Sequence, residues 1–323
     1  MRKHLLAIAL ILTGAPGCDN VGWGGIDVEL APPPGASESP AVEVAPSTTD
    51  DPTRVPGPVL LAGIRAGERG TFVVVGEVSG SGLRTYPDPA FPQDAERLQR
   101  LTAPGSDWVL FSEGVRVGRL TTELVGPARD FCGGRLAVSG LVELVPSAAG
   151  VERLLALPAA AAGARPHEAY RELAHTYEQR VATLAIAGDA IPRYGAAWPD
   201  LGTLDARDHV QSFQLRGASR PSVAATFVSG DKASVGPAGS DAWALFIVGE
   251  EVDGAHREMY SWYRSAAQEG KGVPRYFDHL DWDGDGTDEI LLDVFGASAR
   301  WFAALAHGED GWARTFQDGC GPG

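Results

Sequence analysis

Acidic residues and glycines alternate in the short stretch "DWDGDGTDEI" at 281–290, where Asp281, Asp283 and Asp285 occupy every second position and Glu289 follows four residues later. The intervening glycines permit the tight backbone that lets alternate side chains converge. Carboxylate oxygens, together with a backbone carbonyl, form the oxygen-rich ligand set that Ca²⁺ prefers. Without a cation, like charges a few Å apart repel by roughly 1–4 kcal/mol per pair near a surface. The composition therefore predicts a calcium loop, with a metal-free Asp/Gly turn as the alternative.

The loop is not an EF-hand, because position twelve from Asp281 is Leu292 and the strand-like run "EILLDVF" replaces the exit helix. It resembles instead the calcium loop of FG-GAP and VCBS repeats, the blades of integrin-type β-propellers. The pattern of that family is Asp-x-Asp/Asn-Gly-Asp-Gly-x-x-Asp before an apolar strand. The resemblance implies five ligands, namely the side chains of Asp281, Asp283, Asp285 and Glu289 and the main-chain carbonyl of Thr287. Glu289 departs from the usual aspartate, and Asp278 and Asp288 are left to support the ligands or to lie in solvent.

An uncharged copy of this turn precedes the acidic one. "LRGASRPSVAATF" at 215–227 aligns with "WDGDGTDEILLDV" at 282–294 at a constant offset of 67 residues, and a pair of aromatic strands follows each turn. In the first copy, the positions of the acids carry other residues, namely Gln214, Arg216, Ala218 and Ser222. The alignment predicts two FG-GAP/VCBS-like repeats within 205–323, of which only one keeps the acidic charge.

Strand-forming runs closed by glycine predict a mostly β, antiparallel fold of blade-like hairpins. Residues 58–150 form an N-terminal β unit, interrupted by a short helix at 93–101. Residues 151–204 are a helical connector, and residues 205–323 form a C-terminal β unit. Two blade-like repeats cannot close a propeller. Either the N-terminal unit therefore supplies further blades of a partial or degenerate β-propeller, or the fold is an open β assembly.

One amphipathic helix is predicted near 167–187, with Pro166 at a first-turn position and Gly188 closing the segment. Its apolar stripe, with spacings of three and four residues, comprises Tyr170, Leu173, Tyr177, Val181 and Leu184. His167 and His175 of this segment are eight residues apart, which excludes the paired-histidine zinc motif.

The N-terminus has the layout of an export signal. Residues 1–18 have a basic start, an apolar run too short to span a bilayer as a mature helix, and small residues before Cys18. The ending "APGC" resembles the lipobox of bacterial lipoproteins. That resemblance implies a lipidated Cys18 that anchors the protein to a membrane of the bacterial cell envelope; an ordinary secretory signal is the alternative. Residues 19–57, rich in proline, serine and alanine, predict a disordered tether.

The cysteine content allows one disulfide. With Cys18 lipidated, Cys132 and Cys320 remain as a pair in an oxidising compartment. Both lie beside glycines, where two backbones can approach closely. The sequence leaves a Cys132–Cys320 disulfide and two separate thiols equally open.

Charge and motifs narrow the function. The formal net charge is 27 − 42 = −15, which argues against nucleic acid as a partner. The sequence contains no nucleophile elbow, Walker loop, dinucleotide fingerprint or paired-histidine zinc motif. The scattered histidines, among them His209 and His279, are predicted to be surface or hairpin residues, and a zinc or copper site is disfavoured.

These observations predict a lipid-anchored extracytoplasmic protein that is not an enzyme and carries one structural Ca²⁺. Its role is binding or structural, and its partner is an unknown envelope protein or glycan. The alternative is a cell-surface hydrolase that acts on a polymer and uses calcium only structurally. Such a hydrolase requires a cleft lined by two or more buried carboxylates.

Overall fold

The computed structural model describes residues 55–163 and 169–319, which belong to one compact unit spanning Val55–Gly323. The predicted signal at 1–18, its Cys18 and the tether up to residue 54 lie outside the described residues. In the part that is described, strands dominate and pair antiparallel within every sheet, which confirms the predicted mostly β, antiparallel fold. No helix of these two segments has the length and apolar character that a membrane span requires.

The N-terminal strands close into a barrel. Six of them pair in the order β1-β7-β4-β5-β6-β2, and β2 pairs back to β1. A short seventh strand, β3, extends the sheet from β2. The strands are β1 (Val59–Ala66), β2 (Arg69–Ser79), β3 (Gly82–Arg84), β4 (Asp107–Ser112), β5 (Val115–Pro127), β6 (Leu136–Leu144) and β7 (Arg153–Pro158). This region therefore forms one closed barrel and not the separate four-stranded blades of a propeller, so the alternative in which it supplies further blades is not supported.

Two-residue alternation decides which side chains fill the barrel. Val59 and Leu61 of β1 join one buried cluster, in which all six barrel strands take part, whereas their neighbour Leu60 joins a second cluster on the opposite face of the sheet. The helix α1 (Pro92–Leu101), at the position predicted from the sequence, adds Leu98 to the first cluster. The barrel thus has a filled interior and a second apolar face outside.

Two four-stranded sheets follow the barrel in sequence. Each is a simple meander, in the orders β11-β10-β9-β8 and β12-β13-β14-β15. Their strands are β8 (Arg207–Phe213), β9 (Ser222–Ser229), β10 (Trp243–Val252), β11 (Ala255–Ser265), β12 (Gly272–Leu280), β13 (Glu289–Gly296), β14 (Arg300–Gly308) and β15 (Gly311–Gln317). β9 and β13 each have eight residues and begin 67 residues apart. The assignment of the two sheets to FG-GAP/VCBS repeats stays a prediction.

The barrel and the sheets stack in layers. The outer face of the barrel packs against one face of the β12–β15 sheet through Trp282 and Phe302. The other face of that sheet packs against the β8–β11 sheet through Tyr276 and Phe246. Because both faces of the β12–β15 sheet are covered, its strand β13 is buried along its whole length. This explains why the sequence of β13 is a continuous apolar run with few polar interruptions.

The outermost layer is the helix α2 (Tyr177–Arg193), which differs from the helix predicted near 167–187. Its start is fixed by a capping box: the Thr176 hydroxyl accepts from the backbone N–H of Gln179 at 3.2 Å, and the Gln179 side chain accepts from the backbone N–H of Thr176 at 2.9 Å. This reciprocal pair satisfies two backbone donors at the first turn. Gly188 lies inside the helix instead of ending it.

The predicted apolar stripe of this helix is also wrong. Tyr177 is 69% exposed and Val181 is 45% exposed. The face that packs on the β8–β11 sheet carries smaller side chains, namely Ile186, Ala187, Ala190 and Ile191. Of the predicted stripe, Tyr177 and Val181 point into solvent, whereas Leu184 packs at the edge of this face. The described residues hold three further helices besides α2: α1 and the four-residue helices α3 (Thr203–Ala206) and α4 (Ala266–Glu269).

We expect Thr176→Ala to lower the free energy of unfolding by about 1 kcal/mol, because it removes the acceptor for one N-terminal backbone N–H. Urea denaturation followed by circular dichroism measures this change. Thr176→Ser keeps the hydroxyl and is the control, expected to unfold near the wild-type midpoint. Equal midpoints for Thr176→Ala and the wild type would show that the capping box does not hold this helix.

Candidate functional site

The acidic loop lies between β12 and β13, two paired strands of the inner sheet. Leu280, which ends β12, and Trp282 in the loop are both buried in the cluster that joins this sheet to the barrel. Ile290, just after the loop, is buried in the cluster between the two sheets. The loop is therefore anchored on both sides to the hydrophobic core, although its tip at 284–287 is exposed.

The structure brings the three alternating aspartates together. Carboxylate oxygens of Asp281, Asp283 and Asp285 all lie within 4.8 Å of one another. Asp281 is buried and accepts hydrogen bonds from the backbone N–H groups of Gly284 at 2.6 Å and Gly286 at 3.2 Å. Both glycines have positive φ angles, 87° and 96°, which favour glycine and allow the chain to wind around the Asp281 carboxylate.

The outer aspartates stabilise the turn in a similar way. Asp283 accepts from the backbone N–H of Asp285 at 3.0 Å, and Asp285 accepts from that of Thr287 at 2.7 Å. Asp285 and Thr287 are exposed, so that side of the cluster is open to water. The loop thus presents three carboxylates around one point, with one side accessible to solvent.

Glu289 begins β13 and is only 1% exposed. Its carboxylate accepts one hydrogen bond, from the backbone N–H of Trp282 at 3.2 Å. Burial raises the pKa of Glu289 to about 9, and the negative charges of Asp283, Asp285 and Asp281 add to this rise. Glu289 is not in the group of carboxylates that converge within 4.8 Å. A cation held by the three aspartates of that group would relieve their repulsion, so these residues fit a hard divalent ion such as Ca²⁺.

A basic residue from the other sheet reaches this loop. Arg216 lies in the β8–β9 loop, and its guanidinium donates to Asp281 Oδ2 at 3.3 Å. At the offset of 67 residues, Arg216 is the counterpart of Asp283. The turn without acids therefore supplies a positive charge to the turn that has them. The sequence carries no signal for this contact, because aligning the two turns does not show how they pack.

We expect Arg216→Met to tighten Ca²⁺ binding by about threefold to tenfold, because the guanidinium charge opposes the cation and occupies one Asp281 oxygen. Calorimetric titration of the full-length variants with CaCl₂ measures the affinity. Arg220→Met, in the same loop but paired with Glu251, is the matched control. An unchanged affinity in Arg216→Met would mean that Asp281 does not share its carboxylate between the arginine and the ion.

The two acids flanking the loop are not solvated. Asp278 and Asp288 are each 2% exposed. Asp288 accepts from the backbone N–H of Arg216 at 2.6 Å, and Asp278 accepts from those of Glu113 and His279, both at 2.8 Å. Of the two alternatives for these acids, the structure excludes solvation; they join the loop region to the neighbouring sheet and to the barrel.

His279, predicted to be a surface or hairpin residue, is fully buried in β12, so that prediction is wrong. The Tyr276 hydroxyl and His279 Nδ1 share a hydrogen bond of 2.7 Å, and His279 Nε2 lies 3.1 Å from the carbonyl oxygen of Gln214. Burial lowers the pKa of His279. Both ring nitrogens of His279 therefore have partners in the core, and the side chain packs between the two sheets.

Glu113 and Asp278 form a buried acid pair that sequence reasoning did not identify. Glu113 sits in the β4–β5 turn of the barrel at φ 50°, and its carboxylate Oε2 lies 3.8 Å from His279 Nδ1. Burial raises the pKa of Glu113 to about 9, and repulsion from Asp278 contributes next. Burial likewise raises the pKa of Asp278 to about 7. The turn "SEG" gave no signal beyond a hairpin, because its partner is 165 residues away.

Both acids line a cavity of about 640 Å³, here called the Asp278 cavity. Its walls come from the β4–β5 turn and β7 of the barrel and from β8 and β12 of the sheets. Arg153, His209 and Arg275 also line it. The cavity thus lies where the barrel meets the two sheets, on elements other than the acidic loop.

The predicted disulfide involves one described residue. Cys132 begins a short 3-10 turn at Cys132–Gly134 and packs against the cluster between the two sheets. Cys320 lies outside the described residues, so the pairing of the two cysteines stays a prediction.

The resemblances of residues 15–18 to a lipobox and of residues 281–289 to an FG-GAP/VCBS calcium loop rest on short sequence motifs and stay predictions. The structure brings Asp281, Asp283 and Asp285 together, and their role as calcium ligands stays a prediction. No protein-family model, no curated protein and no solved structure matches the chain.

Proposed function

We propose that the protein is a lipid-anchored, extracytoplasmic β protein of the bacterial cell envelope, in which one Ca²⁺ clamps the β12–β13 turn and the folded body has a binding or structural role. The observation that carries the calcium assignment is the convergence of the carboxylates of Asp281, Asp283 and Asp285 within 4.8 Å of one another. Cys18 and the segment at 19–57 support the anchor and the tether through their sequence.

The ion would be held by the side chains of Asp281, Asp283, Asp285 and Glu289 and by the carbonyl of Thr287. When bound, it supplies positive charge that neutralises these acids. It has no reaction to perform. All five ligands are oxygens, which favours Ca²⁺ over softer metals such as zinc or copper.

The position of the loop explains what a clamp would achieve. The residues next to the ligands are Trp282, in the cluster that joins the barrel to the inner sheet, and Ile290, in the cluster that joins the two sheets. Holding the loop in one conformation therefore holds both hydrophobic contacts in register. This favours a structural role for the ion in joining the layers of the fold.

Titration of the full-length protein with CaCl₂ tests this function. We expect one site per chain with a dissociation constant of about 10⁻⁶–10⁻⁵ M, within the range of calcium sensors. Asp283→Ala should abolish the binding heat, because it removes a ligand that packs outside the core. Asp310→Ala, an exposed acid in the β14–β15 turn, is the control. Absence of binding in the wild type, or equal binding in Asp283→Ala, would refute the calcium site.

A second candidate function is the cell-surface hydrolase that acts on a polymer. The specific observation in its favour is that the buried Asp278 and the partly buried Glu113, whose side chain is 16% exposed, line the same cavity. Two carboxyl groups whose surroundings give them different pKa values are the usual acid and base of glycoside hydrolysis. Turnover of a soluble polysaccharide that disappears in Glu113→Gln would support it, whereas no turnover across a panel of envelope glycans counts against it.

A further inference from the structure

Large apolar side chains are exposed on the outermost layer of the fold. Residues 55–163 and 169–319 expose twelve such side chains, and six of the twelve lie between positions 177 and 204. These six are Tyr177, Val181, Tyr194, Trp198, Leu201 and Leu204. Leu201 is 78% exposed and Leu204 is 63% exposed. Single apolar residues scattered over a surface are normal, whereas a group of them in one short part of the chain is typical of an interaction site.

Two contacts show that these side chains share one surface. The Trp198 indole lies beside Gly188 of α2, 3.9 Å from the place that a Cβ at Gly188 would take. Arg207 donates to the carbonyl oxygen of Arg180, nearer the start of α2, at 2.6 Å. The chain from 198 to 207 therefore runs antiparallel to α2, alongside its residues 180–188. We call the four exposed apolar side chains of this paired stretch the α2 patch: Val181, Trp198, Leu201 and Leu204.

The segment that carries the α2 patch is fixed to the core. The indole nitrogen of Trp243, on β10, donates to the carbonyl oxygen of Ala197 at 3.0 Å. Ala206, at the end of α3, is buried in the cluster beneath α2. Because the backbone is held on both sides of Leu201 and Leu204, these side chains are presented to water by an anchored backbone.

The charged side chains around the α2 patch are mainly acidic. Residues 177–208 contain five acids, all exposed, namely Glu178, Asp189, Asp200, Asp205 and Asp208. The same stretch has three arginines, of which Arg193 pairs with a further acid, Glu258, at 2.6 Å. Arg207 donates to the carbonyl oxygen of Arg180 and to the hydroxyl of Thr183. The acids outnumber the arginines, so the surroundings of the patch are negative.

This negative charge selects the kind of partner. A second copy of the chain would place the same acids opposite one another, and like charges across an interface are unfavourable. An anionic lipid surface would be repelled for the same reason. Lysines and arginines beside an apolar surface, in contrast, would meet opposite charges around the patch.

We propose that the α2 patch docks a segment of a partner protein whose apolar side chains are flanked by lysines or arginines, as on a basic amphipathic helix. Burial of the apolar side chains supplies affinity, and the opposite charges orient the partner and speed its association. The proposal rests on the binding role proposed above, to which it assigns a kind of partner. The patch shares no residue with the acidic loop or with the Asp278 cavity.

The probe is a labelled amphipathic helical peptide of leucine and lysine, and its counterpart carries glutamate in place of lysine. Titration with the full-length protein, followed by fluorescence anisotropy, measures both affinities. We expect the lysine peptide to bind the wild type, and to bind Leu201→Ser and Leu204→Ser at least about tenfold more weakly, because each variant loses apolar surface buried by the peptide. Asp205→Asn should weaken binding about twofold to threefold, because it removes one opposite charge.

Matched controls lie elsewhere on the protein. Leu124→Ser changes an exposed leucine on β5, and Asp310→Asn changes an exposed acid in the β14–β15 turn. Both variants should bind the lysine peptide like the wild type. Melting temperatures show whether each variant is folded. Leu201 and Leu204 are tested separately, so that either one decides the outcome if the other fails to fold.

Several results would overturn the proposal. If the wild type does not bind the lysine peptide, the patch does not accept such a partner. Equal or tighter binding of the glutamate peptide means that charge does not select the partner, and equal affinity of the wild type and both leucine variants means that the peptide binds elsewhere. A dimer in analytical ultracentrifugation that is lost in Leu204→Ser means that a second copy covers the patch. Binding to phosphatidylglycerol vesicles that is lost in the same variant means that a membrane does.

The calcium site and the α2 patch are tested separately. Titration of the acidic loop with CaCl₂ has its own readout, and the peptide titration is run both in CaCl₂ and in EGTA. A protein that binds the peptide but no calcium refutes the clamp alone, whereas one that binds calcium but no peptide refutes only the docking surface.

Discussion

Removing calcium with EGTA lowers the melting temperature of the wild-type protein by about 5–15 °C relative to the same protein in millimolar CaCl₂. A ligand present at 100–1,000 times its dissociation constant stabilises the folded state by roughly 2.7–4.1 kcal/mol. In the calcium-free state the Asp281 carboxylate keeps its backbone hydrogen bonds and the contact with Arg216, so the loop stays folded but with unrelieved repulsion. Differential scanning calorimetry of the full-length protein measures the difference.

The matched variant for this experiment is Asp283→Ala, and Asp310→Ala is its control. Asp283→Ala should melt at the same temperature with CaCl₂ and with EGTA, whereas Asp310→Ala should retain the wild-type shift. The calcium clamp is wrong if the wild-type melting temperature is the same in both buffers. It is also wrong if Asp283→Ala retains the full shift, because the stabilising ion would then be bound elsewhere.

The second large effect is a pH dependence of stability from the buried acid pair. Glu113 has a folded-state pKa of about 9 against an ordinary value of 4.5, and Asp278 one of about 7 against 3.8. The folded protein therefore binds more protons than the unfolded chain between these values. By linkage, the free energy of unfolding is highest at a pH near the ordinary pKa values of the two acids. It falls as the pH rises through their folded-state pKa values. We expect the wild type to be more stable at pH 5 than at pH 8, by at least ~1 kcal/mol.

Several groups face this acid pair and modulate its titration. Arg153 on β7 lowers the pKa of both acids, and Glu172, in the segment before α2, raises that of Glu113. Tyr170 stays neutral in this range, since burial raises its pKa to about 12. These contributions are smaller than that of burial, so the direction of the pH dependence is set by burial.

Glu113→Gln isolates the acid pair. Glutamine has the size of glutamate but no charge. We expect the free energy of unfolding of this variant to change less between pH 5 and pH 8 than that of the wild type. At pH 8 we expect it to be higher than that of the wild type. Urea denaturation at both pH values, with EGTA present so that calcium does not contribute, measures this. Glu68→Gln, at an exposed turn, is the control. A wild type that is equally stable at both pH values, or a Glu113→Gln variant with an unchanged slope, would contradict the account.

Local sequence signals predicted local structure well. The hairpin around Glu113 and the helix near 93–101 were confirmed, because turn residues and short-range periodicity act over a few residues. The convergence of Asp281, Asp283 and Asp285 follows from similar short-range reasoning, since alternation with glycine is a property of the loop itself.

Features that depend on distant pairing could not be read in the same way. Closure of the barrel requires β1 to pair with both β2 and β7, and period-two alternation shows which face a residue is on without naming the partner strand. The start of α2 was visible as Thr176 followed by Gln179, a capping-box signal. The apolar spacing upstream, from Tyr170 onward, favours an earlier start and conflicts with this signal.

The contacts of the acidic loop and of the Glu113–Asp278 pair also depend on residues that are distant in sequence. Arg216 reaches Asp281 from the neighbouring sheet, and Glu113 meets Asp278 across the boundary between barrel and sheet. Both contacts join residues that are far apart along the chain, and neither residue belongs to a motif. Only the packing of the layers brings them together.

The most direct test of the central claim is a crystal structure of the protein grown in millimolar CaCl₂. The account predicts a single ion ligated by the carboxylates of Asp281, Asp283, Asp285 and Glu289 and by the carbonyl of Thr287, at the oxygen distances of about 2.3–2.6 Å that Ca²⁺ takes. An ordered loop without an ion under these conditions would contradict it.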